Sequence, residues 1–437
     1  MRRSVLGLLR GEVFSHVVET RGLGAAAPEP ELVIEHREEL IFMVCEAAEL
    51  EHALMCEYLF AAFSMKERPD EGLTSAQLEA VERWRQVILG VAGQEMLHLA
   101  LTANMLTALG ASPHLSRPNL PQPARHYPPG VRLELLPFGE TALRHFLYLE
   151  RPEGMDLQDA EGIEASEEAI PLMDPEDLAP RLQDFATVGH LYRSIEAGFR
   201  RLADKLGENR LFIGPAAAQI TQANFSWPQL VAVTDLSSAT SAIEAIVEQG
   251  EGPRGDWRKA HFGRFKSVLD ELQEVQESDP GFEPSRPVIA APVRFGEADA
   301  DGLVLEDPLT VKVADLFNVV YEVLLLVLYR LLARIDETDA QTGILADVAV
   351  GLMYDAVEPV GKLLGTLPVG SGNPGATAGA PFELFYQPDY LLPHHGAAWA
   401  LFSERLMDAA SFAERLAGDL EPLGPVSDAL KRHARRL

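Results

Sequence analysis

The strongest constraint on this chain is the presence of ionisable side chains on two helical faces that are otherwise apolar. Residues 35–66 contain no proline or glycine, and Leu40, Val44, Ala47, Glu51, Met55, Tyr58, Ala62 and Met65 recur at helical spacing. A second such stretch opens at Thr74-Ser75, a capping pair, and closes at Gly110 after Leu109. Its stripe reads Trp84, Ile88, Val91, Glu95, His98, Thr102 and Met105. Glu51, Glu95 and His98 thus sit where burial is expected, and an unpaired buried carboxylate costs several kcal/mol even after relaxation. Each therefore requires a compensating partner.

A metal ion is one such partner. Glu and His at i and i+3 share a helical face, and carboxylate-bridged dinuclear bundles take such a pair from each of two helices and one Glu from each of the other two. Glu51 with Glu95-Met96-Leu97-His98 supplies half of that set. An isolated Glu-x-x-His is more often an exposed pair or a satisfied core histidine; the stripe position and the Glu on the neighbouring helix favour the metal. No second Glu-x-x-His follows on a fourth helix, expected from Ser237 or Ser238 through Gly250. There Glu251 falls at the edge of the apolar face formed by Ile243, Ile246 and Val247, whereas Glu244 and Glu248 turn toward solvent. His261 opens the next helical pattern, in line with Phe265, so Glu251 and His261 form a kinked substitute pair. A third helix, expected over residues 180–206, offers His190 and Glu196, of which only one is expected to ligate because their spacing places them on different faces.

The rest of the chain is also read as helical, giving an all-α protein. The four-helix bundle occupies residues 35–280, after an N-terminal extension over 1–34. A Pro-rich linker over 281–310 leads to a C-terminal helical region over 311–437 with at least three helices, at about 313–334, 342–366 and 396–417. Prolines between residues 113 and 129 make the stretch up to Glu150 a long crossover rather than a bundle helix, with a short strand through Val131, Leu133 and Leu135. Residues 154–180 read as an acidic surface loop, and 367–381 as irregular chain that could wall a pocket. Glu322, inside an apolar run, calls for an arginine partner or a cap, and adjacent His394 and His395, which could bind metal, read more readily as a solvated turn. Tyr58 and Trp84 read as packing residues rather than redox relays.

Lys and Arg total 37 against 66 Asp and Glu, a net charge of −29, which disfavours nucleic acid and anionic membrane surfaces as partners. Cys45 and Cys56, on one helix, cannot bridge each other. Asn318, Glu322 and Arg330 interrupt the apolar run 316–332, arguing for a buried helix rather than a membrane span. The first ten residues carry too short an apolar run for a secretory signal, so the cytoplasm is the expected compartment.

Several stretches resemble the ferritin-like family related to the iminophenyl-pyruvate dimer synthase portions of violacein and rebeccamycin biosynthesis proteins. They are Glu49-Leu50-Glu51-His52 with Tyr58-Leu59, then Gly93-Gln94-Glu95-Met96-Leu97-His98-Leu99-Ala100, and Gln249-Gly250-Glu251-Gly252 followed by His261-Phe262. Thr187-Val188-Gly189-His190-Leu191-Tyr192, Leu316-Phe317-Asn318 and Leu367-Pro368-Val369-Gly370 extend the likeness over residues 35–415. The resemblance implies a metal site of Glu51, Glu95, His98, Glu251 and His261. It also implies a Glu where this chain has His190, a departure that would make the site richer in imidazole and alter its metal preference. The expected function is a metal-dependent oxidoreductase with iron, most simply di-iron (manganese and zinc being alternatives), acting on a small aromatic or amino-acid-derived molecule in specialised metabolism. Metal storage or detoxification, and a non-catalytic helical partner-binding protein, are the competing readings. Catalytic residues and oligomeric state stay open.

Overall fold

A computed structural model describes residues 31–122, 132–153, 155, 185, 187–252, 257–294, 303–386 and 393–437. The described residues form an all-α protein whose only strands are the two-residue parallel pair Pro292–Val293 and Leu303–Val304.

Helices α1 (Arg37–Ser64) and α2 (Ser75–Leu109) pack along each other and form the backbone of the bundle. Thr74 caps α2 by accepting from Gln77 N, and Gly110 ends it in the left-handed conformation that glycine adopts without penalty. Helix α3 (Glu140–Leu149) packs on the later helix α6 (His261–Ser278), while α4 (Val188–Leu206) packs on α1 and on α5 (Leu236–Gly250). Thr187 caps α4 through His190 N, and α5 is capped by Asp235, which accepts from Ser238 N, rather than by Ser237 or Ser238 themselves.

Helix α3 lies within the expected crossover, at its C-terminal end. After Gly139 the chain carries Ala142, Leu143, Phe146, Leu147 and Leu149, all buried, at helical spacing. The preceding prolines concealed this short amphipathic element. Leu133 and Leu135 are buried but join no ladder: Leu133 O accepts from Gln122 N and Leu135 O from Ala291 N, so the expected strand is irregular chain, and Val131 lies outside the described residues. The acidic loop expected over 154–180 also lies outside them, apart from residue 155.

The C-terminal helices are α7 (Pro308–Ala333), α8 (Asp339–Leu352), a π-helical turn (Met353–Val357) continuing into α9 (Glu358–Leu364), α10 (His395–Leu416) and α11 (Leu423–Ala434). Helix α7 is long and apolar enough to cross a bilayer, yet 78% of its most apolar window is buried within the protein. Its polar residues are paired: Glu322 meets Arg405 at 2.6 Å, and Asn318 bonds Glu383. His395 pairs with Asp336 at 3.0 Å. Tyr321 of α7 reaches across to α1, bonding His52 and, at 3.1 Å, Cys56, so the C-terminal helices share one hydrophobic core with the bundle.

Candidate metal centre

The buried polar residues of α1 and α2 converge on one point. His98 Nδ1 lies 2.8 Å from Glu95 Oε2 and 3.2 Å from Glu51 Oε2. On the other side of Glu95, His261 Nδ1 lies 3.0 Å from Glu95 Oε1 and 3.3 Å from Glu150 Oε1. Two trios result, Glu51–Glu95–His98 and Glu95–Glu150–His261, each with donor atoms within 4.8 Å of one another and each wholly buried. Two ligands of one ion, each about 2.0–2.2 Å from it, lie at most about 4.4 Å apart, so both trios are near coordination geometry. Glu95 belongs to both and can bridge them.

The local sequence explains the convergence. Glu95 and His98 are one turn apart on α2, Glu51 faces them from α1, Glu150 caps the C-terminus of α3, and His261 is the first residue of α6. The rings of His98 and His261 stack with centroids 5.6 Å apart. Phenols brace both outer carboxylates: Tyr192 donates to Glu51 Oε1 and Tyr58 to Glu150 Oε1, each at 2.5 Å. Tyr58 is therefore part of the site's surroundings as well as of the packing, where it meets Phe146 and Phe265. Trp84 donates instead to Glu271, away from the centre.

Electrostatics suit a cation. Burial pushes the Glu51 carboxyl up to about 8 against the opposing pull of His98. Burial also opposes charge on His261, but Glu95 and Glu150 outweigh it and hold the imidazole at about 9; Glu95 and Glu51 do the same for His98, holding it well above the usual histidine range. Glu95, despite its burial, is held well below the usual carboxylate range by His261 and His98. Without a metal, protons serve as the counter-charge among three carboxylates. Among the described residues, Glu95 Oε1, though close to His261, has no aligned hydrogen-bond donor, and His261 Nε2 has no hydrogen-bond partner. An unsatisfied carboxylate oxygen at the point shared by the two trios, with a mixed oxygen and imidazole donor set, fits a metal cofactor of the iron, manganese or zinc type.

The structure brings together Glu51, Glu95, His98 and His261, and adds Glu150. Sequence inspection missed Glu150 because it stands at the end of the helix hidden behind the prolines; the buried periodicity of residues 142–149 was the available signal. Glu251 is placed beside the cluster rather than in it: its Oε1 accepts from Gly189 N at 2.8 Å and its Oε2 from Glu153 N at 3.1 Å. Burial raises it to about 7 against those N–H donors. His190 is buried on α4 but belongs to neither trio. Glu196 is turned away, bonding Arg200 at 2.6 Å and accepting from Thr240, because the inward face of α4 runs through Tyr192, Ile195, Phe199 and Leu202. A small cavity adjoins the cluster, with Leu54, Val188, Ile246 and Val247 as its apolar wall and Glu251 on its edge.

A bundle of this kind, with paired carboxylate and histidine trios at its centre, is a ferritin-like architecture. The family described as Ferritin-like matches residues 44–270, just over half of the chain, and the chain belongs to it. Over nearly its full length it is similar to the dichlorochromopyrrolate synthase of Lentzea aerocolonigenes, with 27% identity over 88% of this chain and 39% of that protein. It is likewise similar to the 2-imino-3-(indol-3-yl)propanoate dimerase of Chromobacterium violaceum, with 28% identity over 92% of this chain and 39% of that protein. The chain thus spans about two fifths of the length of these curated relatives. A solved ferritin-like protein from Caulobacter vibrioides has 19% identity and a TM-score of 0.48 to it, covering 80% of this chain and 99% of that one.

Proposed function

We propose that this protein is a dinuclear metal oxidoreductase, most simply di-iron, that oxidatively couples or otherwise oxidises a small imino- or amino-acid-derived molecule in specialised metabolism. The observation that carries the reading is Glu95 shared between two buried trios. The names of both relatives, a synthase and an imine dimerase, supply the substrate class.

When bound, a redox-active metal pair would supply two-electron chemistry, taking electrons from the organic substrate and passing them to dioxygen or peroxide. In a coupling of two imino acids, two C–H bonds break, one C–C bond forms, and two protons leave with two electrons. Glu51, Glu95 and Glu150 would hold the metals and balance their charge, while His98 and His261 would act as the nitrogen ligands. Tyr192 fixes Glu51 through Oε1 and leaves Oε2 on the His98 side, whereas Tyr58 fixes Glu150 through Oε1, the same oxygen that faces His261. Glu251, held at about 7 on the edge of the cavity, can take up or release a proton near neutral pH beside the reacting molecule. The apolar wall of Leu54, Val188, Ile246 and Val247 excludes water from that side.

The test is elemental analysis of protein from iron-supplemented cells, followed by oxygen-consumption assays with 2-imino-3-arylpropanoates generated in situ. About two metal ions per chain and substrate-dependent oxidant consumption would support the reading. Metal-free protein that folds normally would instead favour a structural bundle, and metal binding with no oxidation of any such substrate would favour storage.

A further inference from the structure

The two trios have the same ligand types but differ in what stands behind their histidines. His98 Nε2 lies 3.0 Å from Gln249 Oε1, in the last turn of α5. His261 Nε2 is buried with no hydrogen-bond partner among the described residues. Both imidazoles present Nδ1 to the carboxylates. An imidazole that ligates through Nδ1 must carry its proton on Nε2, and an acceptor for that proton fixes both tautomer and ring orientation and strengthens the nitrogen as a donor. His98 has this support. His261 would instead carry a buried N–H without an acceptor, a group that costs free energy to desolvate.

The carboxylate side does not offset the difference. Glu51 and Glu150 each accept one phenol at the same distance, but Tyr192 takes the Glu51 oxygen turned away from His98 whereas Tyr58 takes the Glu150 oxygen that faces His261, so the second half is again the weaker; Glu95 is common to both. The larger asymmetry, a supported imidazole against an unsupported one, lies in the outer nitrogen of each histidine.

We infer that the two ion positions are inequivalent and that Gln249 is the positioning residue that makes them so: the Glu51–Glu95–His98 half binds first and tightly, and the Glu95–Glu150–His261 half second and weakly. This rests on the dinuclear reading above. It also ties metal loading to the end of α5, since Gln249 is followed by Gly250 and Glu251, which border the cavity.

Titration of the full-length, metal-free chain with Co²⁺ alone, followed by visible absorption and by competition with a chromophoric chelator, tests it. Wild type should fill in two phases. His261→Ala should keep the tight phase and His98→Ala only the weak one. Gln249→Leu, which removes the acceptor with little change in size, should weaken the tight phase by about 10–100-fold and change the spectrum of the first ion. Gln249→Glu, which keeps an acceptor oxygen, should restore it. Two ions bound in one phase, or two phases indifferent to Gln249→Leu, would overturn the inference while leaving the dinuclear reading in place. A wild type that takes up no Co²⁺ would remove both.

Discussion

Glu95 stands between two imidazoles, with Oε2 2.8 Å from His98 Nδ1 and Oε1 3.0 Å from His261 Nδ1. Because one carboxylate serves both trios, its loss should differ in kind from the loss of an outer ligand. Glu95→Ala is expected to abolish binding of both ions, whereas Glu51→Ala and Glu150→Ala should each remove about one of two. Metal content by elemental analysis decides this; a Glu95→Ala protein that retained one ion would contradict the bridging role.

Glu150 and Glu251 make opposite predictions. Glu150→Gln should lower metal stoichiometry, because the carboxylate lies 3.3 Å from His261 Nδ1 within one trio. Glu251→Gln should leave stoichiometry unchanged, because both Glu251 oxygens already accept backbone N–H groups. If activity is found, Glu251→Gln should instead lose the dependence on a group titrating near 7, measured as the pH profile of kcat.

Proton linkage gives a signed pH dependence. In the metal-free protein Glu51 is raised from 4.5 to about 8 and His261 from 6.5 to about 9, so the folded state holds protons that the unfolded state has released. That stabilisation is complete below the unfolded values and is lost as pH rises through the folded ones. Thermal stability without metal should therefore fall between roughly pH 5 and 9. Metal must displace the same protons, so affinity should rise over that interval and binding should release protons, as measured by calorimetry in buffers of different ionisation enthalpy. Affinity that did not change with pH would argue against these groups as ligands.

Tyr192→Phe and Tyr58→Phe each remove a hydrogen bond to a buried carboxylate. Near neutral pH Tyr192→Phe should destabilise the metal-free protein by about 0.5–1.5 kcal/mol, the range for a neutral partner, since Glu51 raised to about 8 is mostly protonated; Tyr58→Phe should cost about 1–3 kcal/mol, both read from urea unfolding. An unchanged midpoint in either variant would show that phenol to be dispensable.

Gly189 has room for nothing but hydrogen. A Cβ there would run into the Glu251 carboxylate, on the side chain that locks the start of α4 to the end of α5. Gly189→Ala should cost about 1–3 kcal/mol by overpacking, visible in the same urea experiment, and combining it with Glu251→Ala should recover part of the loss. Lack of coupling between the two would show that they do not share this contact.

The chain's helical character, the spans of α1 and α2, and three residues of the candidate centre were legible because helical periodicity is local: Glu51, Glu95 and His98 stand out against their own neighbours. His261 was legible by the same alignment with Phe265. Glu150 was not, since it closes a ten-residue helix behind a run of prolines; the periodicity of residues 142–149 marks that helix, but only its packing on α6 brings Glu150 to the centre. Glu251, His190 and Glu196 show the converse. Their positions on helical wheels allowed ligation, but only the rotation of α4 and the placement of Gly189 and Glu153 determine that Glu251 is taken up by backbone N–H groups and that Glu196 turns to Arg200. Sequence alone determined which helices must bury charge, because the cost of doing so attaches to each residue. Tertiary structure decided which charges meet, because ligand geometry depends on distances between segments far apart in the chain.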